Sequence, residues 1–407
     1  MDGWFRERGD DQKQGASLTA IQPPLVCLWK RKVSAPNYAL AAFGRVVVAA
    51  DSEMAGLDLG SGEIIWSFPS EKRLGFEYSA LSGDPYGVYF KPKKAVAVSW
   101  DWQSGKACWK TQLPKNDAAA DIAVANGYWI FDKIALDTRT GRIIKDDLKR
   151  EGAKLFIWGD GFVIGHNEDF LFRKEGLFES LSWKTRTPYR TLPELIHKDL
   201  LVSRVEPKES DWCVGLHNVS TGKMVGSLDV HPYRMCASDG VLVTEAAHGK
   251  GANTITKLHA FNLQSGKKLW DGEHVYKHEY NLCGPTDPIA TPSHIWYCYT
   301  RFVKDPKQET VLVALDKYSG KVAWQTTFPD WPLKLLAAEH RIIVVAVGAV
   351  YCFGAKSLAA TAATQRSVAA AKPPPEIEKR EARLDAATKA RKVSRAPIRQ
   401  NKLGEYT

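Results

Sequence analysis

One phrase recurs along this chain and leaves few folds open to it. Its complete form is apolar–Asp–x–x–Ser/Thr–Gly–basic–x–x–Trp. Copies read GLDLGSGEIIW at 56–66, SWDWQSGKACW at 99–109, ALDTRTGRIIK at 135–145, LHNVSTGKMVG at 216–226, AFNLQSGKKLW at 260–270 and ALDKYSGKVAW at 314–324, with a degenerate LFRKEGLFES at 171–180. The pivotal glycines Gly62, Gly105, Gly141, Gly176, Gly222, Gly266 and Gly320 stand 43, 36, 35, 46, 44 and 54 residues apart. A unit repeated at that period matches one four-stranded blade of a β-propeller.

Each part of the phrase has a physical reason. The apolar run before Asp is a strand. The Asp or Asn four residues before Gly bonds its own turn, and Gly supplies the positive φ there. The next strand follows, and its Trp (Trp66, Trp109, Trp270, Trp324) is placed to pack between neighbouring blades. Asp58, Asp101, Asp137 and Asp316 recur at one structural position, which argues for turn capping rather than a metal or acid–base ring. Further strands stand upstream of the copies, several opened by Phe-Gly, Asn-Gly or Asp-Gly turns.

Seven copies do not close the count. After the seventh, 341–347 and 349–353 supply strands of an eighth blade that lacks its Gly–x–x–x–Trp strand. A suitable strand stands at 25–33, LVCLWKRKV, centred on Trp29. The expectation is an all-β, eight-bladed propeller over 24–354, its ring closed by that N-terminal strand so that no sheet edge stays open. A flexible segment is expected at 1–23 and a basic low-complexity tail at 355–407, with a short helix over 376–392.

The repeat resembles that of the PQQ-repeat, quinoprotein-like propellers, which include the quinoprotein alcohol dehydrogenases and the outer-membrane assembly lipoprotein BamB. The resemblance covers about 24–354 and implies the fold. The dehydrogenases of this shape carry an adjacent Cys–Cys pair over the quinone and an Asp base near calcium. This chain has seven cysteines, no two of them adjacent, and no Asp falls in that role by motif. The expectation is therefore no cofactor and no metal.

Charge separates body from tail. The chain carries a formal +10, of which residues 355–407 hold twelve Lys/Arg against five Asp/Glu. Steering of acidic partners is thus mainly a tail property. Residues 1–20 show no signal-peptide core or lipobox, and no run is long enough to span a bilayer, so a cytoplasmic location with reduced thiols is expected.

Extra length gathers in blades five to seven. It is read as loops at 184–195, 206–212, 245–255, 272–288 and 301–310, on the face opposite the Ser/Thr–Gly turns. Long loops on a rigid scaffold are where recognition resides. They bring Arg186, Tyr189, Arg190, Lys208, His248, Lys250, His274, Tyr276, Lys277, His278, Arg301 and Lys304 to one sector, as candidate partner-binding residues. His274 and His278 share a zinc-like spacing, but nothing fixes a third ligand between His248 and Cys283. No phosphate loop or nucleophile signature is present.

These features point to a non-enzymatic protein-interaction scaffold or adaptor subunit, with a monomeric body and a tail that adds a second contact. The alternatives are a divergent quinone- or metal-dependent oxidoreductase, and nucleic-acid binding by the tail.

Overall fold

A computed structural model describes residues 16–33, 36–50, 53–69, 80–84, 86–91, 96–114, 122–125, 127–131, 134–145, 155–158, 162–166, 170–175, 181–187, 190–206, 212–248, 255–272, 276–277, 286–304 and 307–359. Their strands form eight antiparallel sheets, each built on a four-stranded meander. Blade one is Pro36–Ala42, Arg45–Ala50, Glu53–Asp58 and Ile64–Pro69. Blades two to seven repeat that order, and the first strands of most neighbouring blades contact one another, so they form the inner ring. Four of these inner strands carry a proline at a register shift, Pro36, Pro193, Pro232 and Pro332. Proline suits an edge strand because it offers no N–H to a stray partner.

Blade eight closes the ring. Its strands Pro332–Ala338, Arg341–Ala346 and Ala349–Gly354 are completed by Val26–Lys32, which pairs antiparallel with Ala349–Gly354. Ahead of the expected start at residue 24, the chain already lies on the ring. Ser17 N donates to Ala290 O at 2.9 Å, and Ile21 is buried. Past Gly354 a single helical turn places Leu358 against the same core. The expected helix at 376–392 lies outside the described residues.

The repeated phrase makes one repeated joint. In blade one Gly62 N donates to Asp58 O at 2.8 Å, while Asp58 Oδ1 accepts from Gly60 N, Ser61 N and Ser61 Oγ. Asp101, Asp137 and Asp316, with Asn218 and Asn262, clasp their turns through the same oxygen. Hydrogen bonds to the charged form, first from the Ser104 and Ser319 hydroxyls, hold the Asp101 and Asp316 carboxyls below the usual carboxylate range.

The joint then reaches into the next blade. Trp29, Trp66, Trp109, Trp183 and Trp270 lay their indoles against Gly62, Gly105, Gly141, Gly222 and Gly320. Each indole N–H donates to the carbonyl of the residue after the clasping Asp or Asn, at 2.8–3.1 Å: Leu59, Trp102, Thr138, Val219 and Lys317. Trp183 stands beyond the degenerate copy and is not flagged by the phrase. Trp324 differs because blade eight has no hairpin there for it to meet. It packs on Trp296 instead, ring centroids 6.0 Å apart.

Gly105 shows why glycine is required. Its φ is +62°, and a Cβ there would stand 2.5 Å from Trp66 Cδ2. Truncation of Trp66, which is buried, removes the indole from the blade one–two core. Trp66→Ala is expected to lower the urea-unfolding free energy by about 3–5 kcal/mol. Gly105→Ala should lower it by about 1–3 kcal/mol through backbone strain and the displaced ring.

Candidate functional site

The described candidate residues sit at strand ends on the face opposite the Ser/Thr–Gly turns. Arg186 ends the outer strand of blade four, Leu181–Arg186, and Arg190 opens Arg190–His197 of blade five. Arg190 stands 3.5 Å from Glu206 and over the Trp212 ring at 5.7 Å. Arg301 Nε donates to Glu309 Oε1 at 2.6 Å. Arg190 and Arg301 keep 63% and 48% of their side-chain surface exposed, so their ion pairs are worth only about 0–1 kcal/mol to the fold and leave the guanidiniums free to bind elsewhere.

The expected loops are in large part ladder, which corrects the loop assignment. His294–Lys304 and Lys307–Asp316 pair to their tips, with Arg301 opposite Glu309 and Lys304 opposite Lys307. His248 pairs with Ile255 at the tip of the blade-six hairpin. Tyr276 and Lys277 return alongside Thr256 and Ile255 as a fifth strand. The charged residues that looked like loop are cross-strand positions on hairpins that stand out from the ring. Tyr189, Lys208, Lys250, His274 and His278 lie outside the described residues.

The first two strands of blades five and six carry a second set of charges. Arg234 binds Glu245 at 2.9 Å and Asp287 at 3.2 Å, and Arg204 pairs with Glu194. Glu245 is almost wholly buried, and the Arg234 guanidinium offsets part of the cost of burying it. Among the described residues, no three His, Cys, Asp or Glu converge as a metal site. Cys236, Cys298 and Cys352 are buried, and burial pushes the Cys298 thiol well up, away from the reactive thiolate. A quinone held beneath a vicinal disulfide has no matching residues here, since no two cysteines are adjacent.

The turn face is tied by bonds between blades. Gly240 N of blade six donates to His197 Nε2 of blade five at 3.0 Å. Lys317 of blade seven, fully buried, donates to Asp239 of blade six at 2.8 Å. Gly44 N of blade one donates to Glu339 of blade eight at 2.6 Å. No residue within the repeat phrase signals the first of these contacts, because His197 and Gly240 belong to different blades.

No family model matches the sequence, and no curated protein matches it. Solved structures do match in fold. BamB from Moraxella catarrhalis superposes with a TM-score of 0.58 at 15% identity, over 82% of this chain and 98% of that one. A europium-containing methanol dehydrogenase gives 0.60 at 11%, over 87% and 98%. The quinohemoprotein alcohol dehydrogenase from Comamonas testosteroni gives 0.60 at 11%, over 87% and 81%. The chain has the eight-bladed PQQ-repeat, BamB-like propeller fold. At these identities the likeness fixes the fold alone. No helix among the described residues is long and apolar enough to cross a membrane.

Acid should loosen the turn face. Burial first, then the Lys198 charge, holds His197 below its ordinary 6.5, and burial does the same for His217 and His294. The unfolded chain therefore takes up protons first as pH falls. The stability tied to these neutral rings is full above 6.5 and is lost as pH drops below it toward the folded-state values. The urea midpoint is expected to be lower at about pH 5.5 than at about pH 7.5, and His197→Asn should narrow that difference.

Proposed function

We propose that this propeller is a non-enzymatic interaction scaffold, a subunit or adaptor that holds a protein partner on the hairpins of blades five to seven. The observation that carries this reading is the asymmetry of the ring. The strands His294–Lys304 and Lys307–Asp316 of blade seven are 11 and 10 residues long, while the strands of blade three run to 3 or 4. Adjacent blades thus raise long hairpins on one side of a rigid ring, with Arg186, Arg190 and Arg301 exposed beside them. Arginine is a frequent interface anchor, and an exposed guanidinium retains bidentate capacity for a carboxylate. The basic tail, net positive by its composition, adds a second contact for an acidic protein surface.

The test compares full-length protein with the triple variant Arg186→Glu/Arg190→Glu/Arg301→Glu and with a chain ending at Gly354. Stoichiometric partners are identified by affinity purification and then rebound as purified proteins. The expected result is at least about tenfold weaker partner binding by the triple variant, with an unfolding midpoint unchanged because surface substitutions cost little. Full retention of the partner, or a stoichiometric quinone or metal with turnover in the purified protein, would overturn the reading.

A further inference from the structure

Among the described Asp/Asn–Gly turns of the repeated phrase, every turn glycine receives an indole from the preceding blade except that of blade six. Gly62, Gly105, Gly141, Gly222 and Gly320 are buried beneath indoles. Gly266 has the same positive φ and its Asn262 makes the same clasp, yet Gly266 is partly exposed. Only Leu228 Cδ2, 3.6 Å away, lies near the position of a Cβ on it. Register explains the gap. Trp66, Trp109, Trp183 and Trp270 pair across strands with Gly56, Ser99, Arg173 and Ala260, and in blade five the equivalent pair is Gly226 with Leu216. The indole position is a glycine.

What remains is an open cleft of about 840 Å³, within the range of ligand pockets. Leu216, Val225, Gly226 and Gly266 line its apolar part, and His197 and Asn262 its polar part. The carbonyl that receives an indole N–H in the other joints belongs here to Leu263. Its own N–H is bonded to Gly240 O at 2.8 Å, as Leu59 N is to Gly44 O, so the carbonyl is held in the same frame. Among the described residues no indole donates to it.

We propose that this cleft is a docking site for a tryptophan side chain of a partner protein, whose ring lies on Gly266 and whose indole N–H donates to Leu263 O. The occupant is argued from the molecule itself, because five internal copies of the joint show what group its glycine and carbonyl accept. The site lies on the turn face. It is thus separate from the hairpins of blades five to seven and does not rest on their role.

The probe is a Gly-Gly-Trp-Gly-Gly peptide carrying 5-fluorotryptophan, titrated with full-length protein and followed by fluorine NMR. Free 5-fluoroindole and the matching fluorophenylalanine peptide are run beside it. The expected result is a saturable shift of the tryptophan peptide, about tenfold weaker binding of the phenylalanine peptide for want of the N–H donor, and loss of binding in Leu216→Ala/Gly226→Trp. That double variant rebuilds the internal joint and should raise the thermal midpoint as well. If it fails to fold, Gly226→Ile serves instead, since a Cβ at Gly226 meets nothing nearer than Leu216 Cδ1 at 3.8 Å. Absence of binding by the tryptophan peptide, or binding undiminished by the filled cleft, overturns the site. Binding of free fluoroindole without the peptide overturns the protein partner and assigns the cleft to a small aromatic molecule.

Discussion

The indole laid on the neighbouring blade's glycine is the contact on which the ring depends. A blade alone is a small twisted sheet with two faces to bury, and hydrophobic cores form between blades rather than within them. A tryptophan brings some 150–250 Å² to that interface, worth at most ~4–6 kcal/mol by area. Its position matters as much as its size. Each ring can reach the next blade only because the turn there has no Cβ, and the turn holds its shape only because Asp or Asn clasps it. Clasp, glycine and indole are therefore one device with three parts. The N-terminal strand joins the ring by the same device, with Trp29 on Gly62 and Arg31 Nε donating to Gly62 O at 2.6 Å.

This dependence explains what could be read in the sequence. A turn with positive φ and a self-bonding carboxylate demands particular residues at fixed offsets, so Asp58, Gly62 and their counterparts announce themselves. Eight blades follow from counting, and the closing strand from the one tryptophan strand left over. Trp183 escaped because blade four departs from the spacing around Gly176. The hairpins of blade seven escaped because Arg301, Lys304 and Glu309 look like loop chemistry, whereas the ladder between Phe302 and Gln308 is set by partners several residues away. Counting repeats places Arg186, Arg190 and Arg301 in blades four, five and seven. The bonds His197–Gly240 and Lys317–Asp239 were not readable, because neither belongs to a periodic pattern.

The two faces of the disc bear different loads. The turn face is held in register by backbone clasps, indole bonds and the inter-blade bonds of His197, Lys317 and Glu339. Its sequence is constrained accordingly. The opposite face carries the long hairpins, where length and charge vary at little cost to the ring. A scaffold of this kind keeps its framework rigid while its contacts diverge, which is consistent with very different proteins sharing the fold at 10–15% identity.

Closure by Val26–Lys32 has a consequence for how the chain must be made. That strand is synthesised first, yet its hydrogen-bonding partner, Ala349–Gly354, emerges from the ribosome more than three hundred residues later. Until then the strand is an unpaired edge, and the Trp29 indole can dock only on the blade that follows it. Blade one must therefore wait, half-clothed, for blade eight. The nascent chain has to shield an exposed β-edge throughout translation, and a ribosome that stalls before the last blade releases an open ring primed to pair with another chain.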